Sequence, residues 1–155
     1  MNSCSYIHVL DTAAKGHAFN GYVSGSEINL DGTKWTFTAN NPSFKFGNYA
    51  SGFGLPFGTS GNPTNGLTIE TVDSYHLNMI YAKISCASQK TVNYRIYIGD
   101  TLLFSGSVTR PTGATSSEIV GCNFAAANGR IKIVIDGNDT SSGAVIVHTL
   151  AYNVA

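Results

Sequence analysis

The sequence predicts an all-β fold, a two-sheet antiparallel β-sandwich of jelly-roll type with about ten strands. Apolar and polar residues alternate with period two through most of the chain, the pattern of strands buried on one face. Gly, Asn, Asp and Pro interrupt that alternation at the short intervals typical of sandwiches. Helix signals are almost absent. The best of them, Asp11–His17, allows one turn, with Asp11 as cap and Gly16 as stop.

In Glu27–Phe37, Asp31-Gly32 tolerates the positive φ angles of a two-residue type I′ turn, and alternating residues flank it. A hairpin follows, with Ile28, Leu30, Trp35 and Phe37 sharing one face. Residues 40–66 have another texture: Gly, Asn, Ser and Pro punctuate short aromatic pieces, which predicts two brief strands joined by ordered loops. Their aromatic density argues against disorder, because large rings supply burial that offsets chain entropy.

The second half is more regular. Thr68–Val72 reads as a strand, and Leu77–Cys86 as a longer one with Ile80, Ala82, Ile84 and Cys86 on one face. Val92, Tyr94, Ile96 and Ile98 alternate with Thr91, Asn93, Arg95 and Tyr97, a half-buried pattern. Gly99-Asp100 turns the chain into Thr101–Val108, and a linker with Arg110-Pro111 leads to Glu118–Asn123. Ile131, Ile133 and Ile135 alternate with Arg130, Lys132 and Val134. A turn at Asp136–Asp139 and a strand from Ala144 to Tyr152 complete the single domain, 1–155. Chain ends fray unless held, so the end strands are expected inside a sheet or against a neighbouring subunit.

Composition narrows the function. A chain of 155 residues buries roughly two-thirds of its unfolded surface, enough to fold without metal or disulfide. Only 12% of residues are charged, about half the usual share, and nine cations balance nine acids. That balance removes the electrostatic term on which nucleic-acid binding depends, so no nucleic-acid partner is expected. No apolar run approaches the roughly 20 residues of a membrane span, so no membrane insertion is expected. Met1–Cys4 opens without a basic region or long apolar stretch, so no export signal is read there. Cys4, Cys86 and Cys122 stand far apart, which suggests buried thiols with at most one disulfide that spacing does not assign.

Catalytic and metal sites find little support. His8, His17, His76 and His148 show no i, i+2 or i, i+4 pairing, so no zinc site is expected. Nucleophile-elbow, HExxH and Walker-type loops are missing, and no cofactor is implied. Nine acids could converge for glycoside cleavage. Yet Asp31, Asp73, Asp100, Asp136 and Asp139 lie at predicted turns, where Asp bonds the local backbone. Asp136–Thr140 has oxygen ligands suited to calcium but lacks the glycine and terminal Glu of an EF-hand, so it reads as a turn. Asn138-Asp-Thr140 is the single glycosylation sequon. The sharpest binding candidates are aromatic: Phe44, Phe46, Tyr49, Phe53 and Phe57 could stack on sugar C–H groups or on a partner's side chains. The competing reading places these rings in the core, and Trp35, in phase with Phe37, fits that better.

Several stretches also resemble a jelly-roll accessory domain of extracellular proteins from gut and host-associated bacteria. They are GLPFGTSGNP at 54–63 with LTIET at 67–71, YRIYIGDT at 94–101, GRIKIVI at 129–135 and AVIVHTLAY at 144–152, with DGTKW at 31–35 matching its opening strand. The resemblance implies a β-sandwich with adhesive, carbohydrate-binding or architectural duty and no defined catalytic residues.

Two non-catalytic functions follow as expectations. The first is a subunit of an extracellular assembly, such as a phage decoration, fibre or tail protein, a homo-oligomer at a virion surface. Low charge suits packing against copies of itself. The second is a carbohydrate-binding or adhesive module of a secreted bacterial protein, with a glycan as partner.

Overall fold

Period-two alternation resolves, among the described residues, into twelve strands in two antiparallel sheets in the computed structural model. It describes residues 6–11, 22–30, 32–39, 47–49, 52–57, 66–86, 91–109, 116–136 and 143–154. The first sheet runs β2 (Glu27–Leu30), β3 (Thr33–Ala39), β6 (Leu67–Thr71), β11 (Ile131–Asp136), β8 (Thr91–Ile98), β9 (Thr101–Thr109). The second runs β10 (Ser116–Gly129), β7 (Tyr75–Cys86), β12 (Gly143–Val154), β5 (Gly52–Phe57), β4 (Gly47–Tyr49), with β1 (Tyr6–Asp11) also paired to β12. The architecture is the expected β-sandwich.

Alternation sets what each strand buries. On β3 it puts Thr33, Trp35 and Phe37 inside, on β6 Leu67, Ile69 and Thr71, and on β11 Ile131, Ile133 and Ile135. Tyr94, Ile96 and Ile98 add the inner face of β8. Leu77, Ile80, Ala82 and Tyr152 of the second sheet close the core from the other side. Each fully buried side chain of this size contributes about 1.5–3 kcal/mol relative to exposure. Trp35 is therefore core, 1% exposed, with its ring edge-on to Tyr152 at 6.0 Å. The Thr33 and Tyr152 hydroxyls hydrogen-bond across the two sheets, which satisfies both inside the core.

Turn chemistry fixes register where it was expected to. Leu30 pairs with Thr33, which leaves two residues for the connection, and Gly32 has φ +90° as the second turn position demands. Ile98 likewise pairs with Thr101 around Gly99-Asp100, with Gly99 at φ +56°. The Gly99 amide also donates to the Arg130 carbonyl at 2.8 Å, tying this turn to the start of β11.

Four features differ from the sequence reading or extend it. Strand β1 was not anticipated; it pairs with the last half of β12, from Tyr6 opposite Val154 to Asp11 opposite Thr149. Both end strands thus lie inside a sheet, and Asp11 finishes a strand, while residues 12–17 of the proposed helical turn lie outside the described residues. Second, β10 continues past Asn123 to Gly129 through a register irregularity between Asn123 and Ala127. Third, both Leu77 and Ile80 are buried on β7, so strict alternation slips between them. Fourth, Cys86 lies opposite Ser116 and Cys122 opposite Ile80 on the β7–β10 ladder. That offset is about 20 Å along the strands, far beyond the roughly 7 Å that a disulfide tolerates between Cα atoms. These two cysteines therefore do not bridge within one chain. Cys4, the Arg110-Pro111 linker and residues 137–140 lie outside the described residues.

Candidate functional site

The residues that alternate away from the core of the first sheet form the chemically richest described surface. Thr36 of β3 lies opposite Glu70 of β6, Glu70 opposite Lys132 of β11, Lys132 opposite Tyr97 of β8, and Tyr97 opposite Leu102 of β9. Four inter-strand steps make this a row of about 19 Å across one sheet face. The adjoining row runs Thr38, Thr68, Val134, Arg95, Ser105. All these positions share the outward parity that β-structure imposes on every second residue.

Tyr97 is the centre of the arrangement. Its phenol accepts a hydrogen bond from Arg95 Nη1 at 3.3 Å, and the Lys132 ammonium stands 5.0 Å from its ring centroid. A cation over an aromatic face contributes about 0.5–1 kcal/mol at an exposed site. Arg95 Nη2 donates to both Asp136 oxygens, at 3.1 and 3.2 Å. The Asp136 carboxylate, and after it the Tyr97 phenol, hold the Arg95 guanidinium above its ordinary pKa, against the opposing effect of burial. Arg95 therefore stays charged, a fixed donor beside the ring. Towards β6, Arg130 Nε donates to the Thr71 carbonyl at 2.8 Å and its Nη1 lies 3.5 Å from Glu70 Oε1. The face thus offers one aromatic ring between cationic donors (Arg95, Lys132, Arg130) and carboxylate acceptors (Glu70, Asp136). Such a set can stack on a C–H face and bond a ring of hydroxyls.

Of the five aromatic candidates, the three that the structure describes fall elsewhere. Phe44 and Phe46 lie outside the described residues. Tyr49 ends β4 opposite Gly52, Phe53 lies opposite Asn48 and Val147, and Phe57 opposite Gly143. The backbone therefore carries these three on the β4–β5 hairpin of the second sheet, with Phe53 and Phe57 on one parity of β5 and Tyr49 opposite the other. Among the described residues no three His, Cys, Asp or Glu side chains gather as metal ligands, and no helix is long and apolar enough to cross a membrane. His76 is exposed, with Nδ1 2.6 Å from Asn128 Oδ1.

The chain was compared with known proteins. No family model and no curated protein sequence matches it. Among solved structures, a family 29 carbohydrate-binding module from Piromyces equi matches with a TM-score of 0.54 and 12% identity, over 99% of this chain and 93% of the module. A variant of a second family 29 module, complexed with cellulohexaose, matches at 0.53 and 9% identity, over 98% of this chain and 93% of that one. The enzymatically active domain of tailspike protein 4 from bacteriophage CBA120 matches at 0.53 and 15% identity, over 88% of this chain. What they share is the fold. The chain spans nearly the whole of either module but 21% of the tailspike chain.

Sequence reasoning listed Tyr97, Arg95 and Lys132 as the polar phase of half-buried strands and passed over them as a site. The signal was present in Tyr97, an aromatic at an outward position between the inward Ile96 and Ile98. Glu70 and Asp136 carried no such signal, because their neighbours on the face come from strands distant in sequence.

Proposed function

We propose that this chain is a non-catalytic glycan-binding module. The observation that carries the reading is Tyr97 on an open sheet face, held by Arg95 and approached by Lys132 within a row of hydroxyl and carboxylate groups. Sugars present both C–H patches and hydroxyls, and a lone ring among fixed donors and acceptors answers both. The fold likeness to two modules over nearly their full length supports the same reading. The virion-subunit reading has less behind it, a fold likeness covering a fifth of one tailspike chain. We include Phe44, Phe46, Tyr49, Phe53 and Phe57 in the proposal as a separate aromatic contributor on and before the β4–β5 hairpin. An extracellular setting follows from the ligand class.

Affinity electrophoresis and calorimetry on a panel of soluble neutral and acidic polysaccharides test this. A polysaccharide that binds the intact chain is expected to bind Tyr97→Ala about tenfold more weakly, the equivalent of roughly 1.4 kcal/mol. Tyr97→Phe, which keeps the ring, is expected to retain most of the affinity. Parallel Tyr49→Ala and Phe53→Ala variants report on the hairpin. A panel with no binder, or full affinity in all three alanine variants, overturns the proposal.

A further inference from the structure

A sheet edge presents unpaired N–H and C=O groups, and proteins blunt such edges with short strands, charge, proline or bulges. Four edge strands among the described residues carry such a device. β4 is three residues long, β2 is four residues long and bears Glu27, β1, paired only to β12, ends on Asp11, and β10 bears Glu118 and the irregularity between Asn123 and Ala127. The fifth, β9, reads TLLFSGSVT, with no charge and no proline. Its one irregularity lies at Leu103, before the regular ladder of Phe104–Thr109 against β8. No described strand pairs with its other side; β10 comes near from the opposite sheet without joining the ladder. Two of the strand's apolar residues are also exposed. Phe104, opposite the fully buried Ile96 and on its core-facing parity, is 40% exposed, and Leu102 is 50% exposed.

We propose that β9 pairs antiparallel with β9 of a second copy, about a two-fold axis at Gly106. The strand is self-complementary in this one register. Phe104 falls opposite the partner's Val108, Ser105 opposite the partner's Ser107, and Gly106 opposite the partner's Gly106, so β9 itself sets no side chain at the axis, where the Tyr94 ring of β8 covers Gly106 from the core side. Cross-strand partners share a face, so the apolar pairs extend the core side and the serine pairs the solvent side. An uncharged strand sets no like charges against each other across the axis, and an isologous contact closes at two copies. The first sheet then runs continuously through both copies, and each Phe104 gains a covering neighbour. A strand-to-strand contact lies at the small end of interfaces, so the dimer depends on concentration.

Sedimentation of the intact chain, from micromolar to near-millimolar concentration, is expected to show growth from 16.4 kDa to twice that mass. Ser105→Lys with Ser107→Lys places lysines opposite each other in the dimer and is expected to raise the dissociation constant by about tenfold or more. Ser105→Glu with Ser107→Lys places opposite charges in register and is expected to keep the dimer. Both positions are exposed, so far-UV circular dichroism should match the intact chain in each case. Hydrogen exchange needs no variant: protection of the Phe104–Thr109 amides should rise with concentration. A chain that stays monomeric throughout, a dimer that survives the double lysine, or β9 amides whose exchange ignores concentration overturns the proposal.

Discussion

Tyr152 shows how one buried hydroxyl ties stability to pH. Its ring packs between Trp35 and Tyr75, with centroids 6.0 Å away in each case. Burial, the largest influence, pushes its pKa above the ordinary tyrosine value; the Thr33 hydrogen bond opposes this and Tyr75 adds to it. A raised pKa means that the folded state holds the proton more tightly than the unfolded chain. This contribution is therefore complete below the unfolded tyrosine pKa of about 10 and is lost as pH rises from there through the folded value. The slope for one such group reaches up to about 1.4 kcal/mol per pH unit. Tyr152→Phe removes the titration but leaves the Thr33 hydroxyl unpaired, at a cost of about 1–2 kcal/mol near neutrality. Urea unfolding across alkaline pH should then show the gap between the two proteins narrowing above about pH 10. A gap that stays constant would show that Tyr152 does not titrate differently in the two states.

At the scale of elements, the β7–β12 pair shows where sequence reading succeeds and where it stops. Ladder pairing ends at Ile80 opposite Tyr152, and beyond that point the Asn153 side chain takes over. Asn153 Oδ1 accepts from the Asn78 amide at 3.1 Å, and its Nδ2 donates to Asn78 Oδ1. Asn153 is itself buried, so truncating it strands polar groups at the point where β7 slips phase between Leu77 and Ile80. Asn153→Ala is expected to lose about 1–3 kcal/mol in denaturant unfolding. Asn153→Asp keeps the Oδ1 acceptor but sets a buried carboxylate oxygen against Asn78 Oδ1 in place of the Nδ2 donor, so it should lose at least as much; a smaller loss would show that the donated bond carries little. None of this was legible beforehand. The Asp31-Gly32 hairpin was, because its turn residues and flanking alternation lie within a dozen positions. The inward Ile131, Ile133 and Ile135 were legible for the same local reason. The Asn153–Asn78 substitution and the Asn123–Ala127 irregularity depend on pairings between distant segments, for which strand propensity carries no information. The candidate face divides the same way: the signal for Tyr97 lay within its own strand, though it was passed over, whereas its neighbours Glu70 and Lys132 are assembled only by the sheet.

Across the whole molecule, the two end strands close the chain on itself. β12 sits between β7 on one side and β5 then β1 on the other, changing partner near the Val147–Thr149 register shift. Pairing β1 with β12 joins residues almost the full chain length apart, from Tyr6 to Val154. Contacts of such separation fold late, since their loop-closure entropy is met before they return any stability. They can still decide the final stability. The β1–β12 ladder has six residue pairs. With roughly one net bond per pair at about 0.5–1.5 kcal/mol, its loss is about 3–9 kcal/mol, against a typical total of about 5–15 kcal/mol for a domain. Removing residues 1–11 should therefore leave a chain that is marginal or unfolded at room temperature, with the last half of β12 an unprotected edge. The same geometry offers a repair. A synthetic peptide of residues 1–11 should add back as an antiparallel strand and raise the melting temperature with the logarithm of its concentration, as strand addition does elsewhere. The register gives the control: a peptide carrying both His8→Pro and Val9→Pro loses a backbone donor towards β12 whichever of the two faces it, and should rescue far less. If the shortened chain melts like the intact one, β12 is held by β7 and β5 alone and β1 contributes nothing to the sandwich.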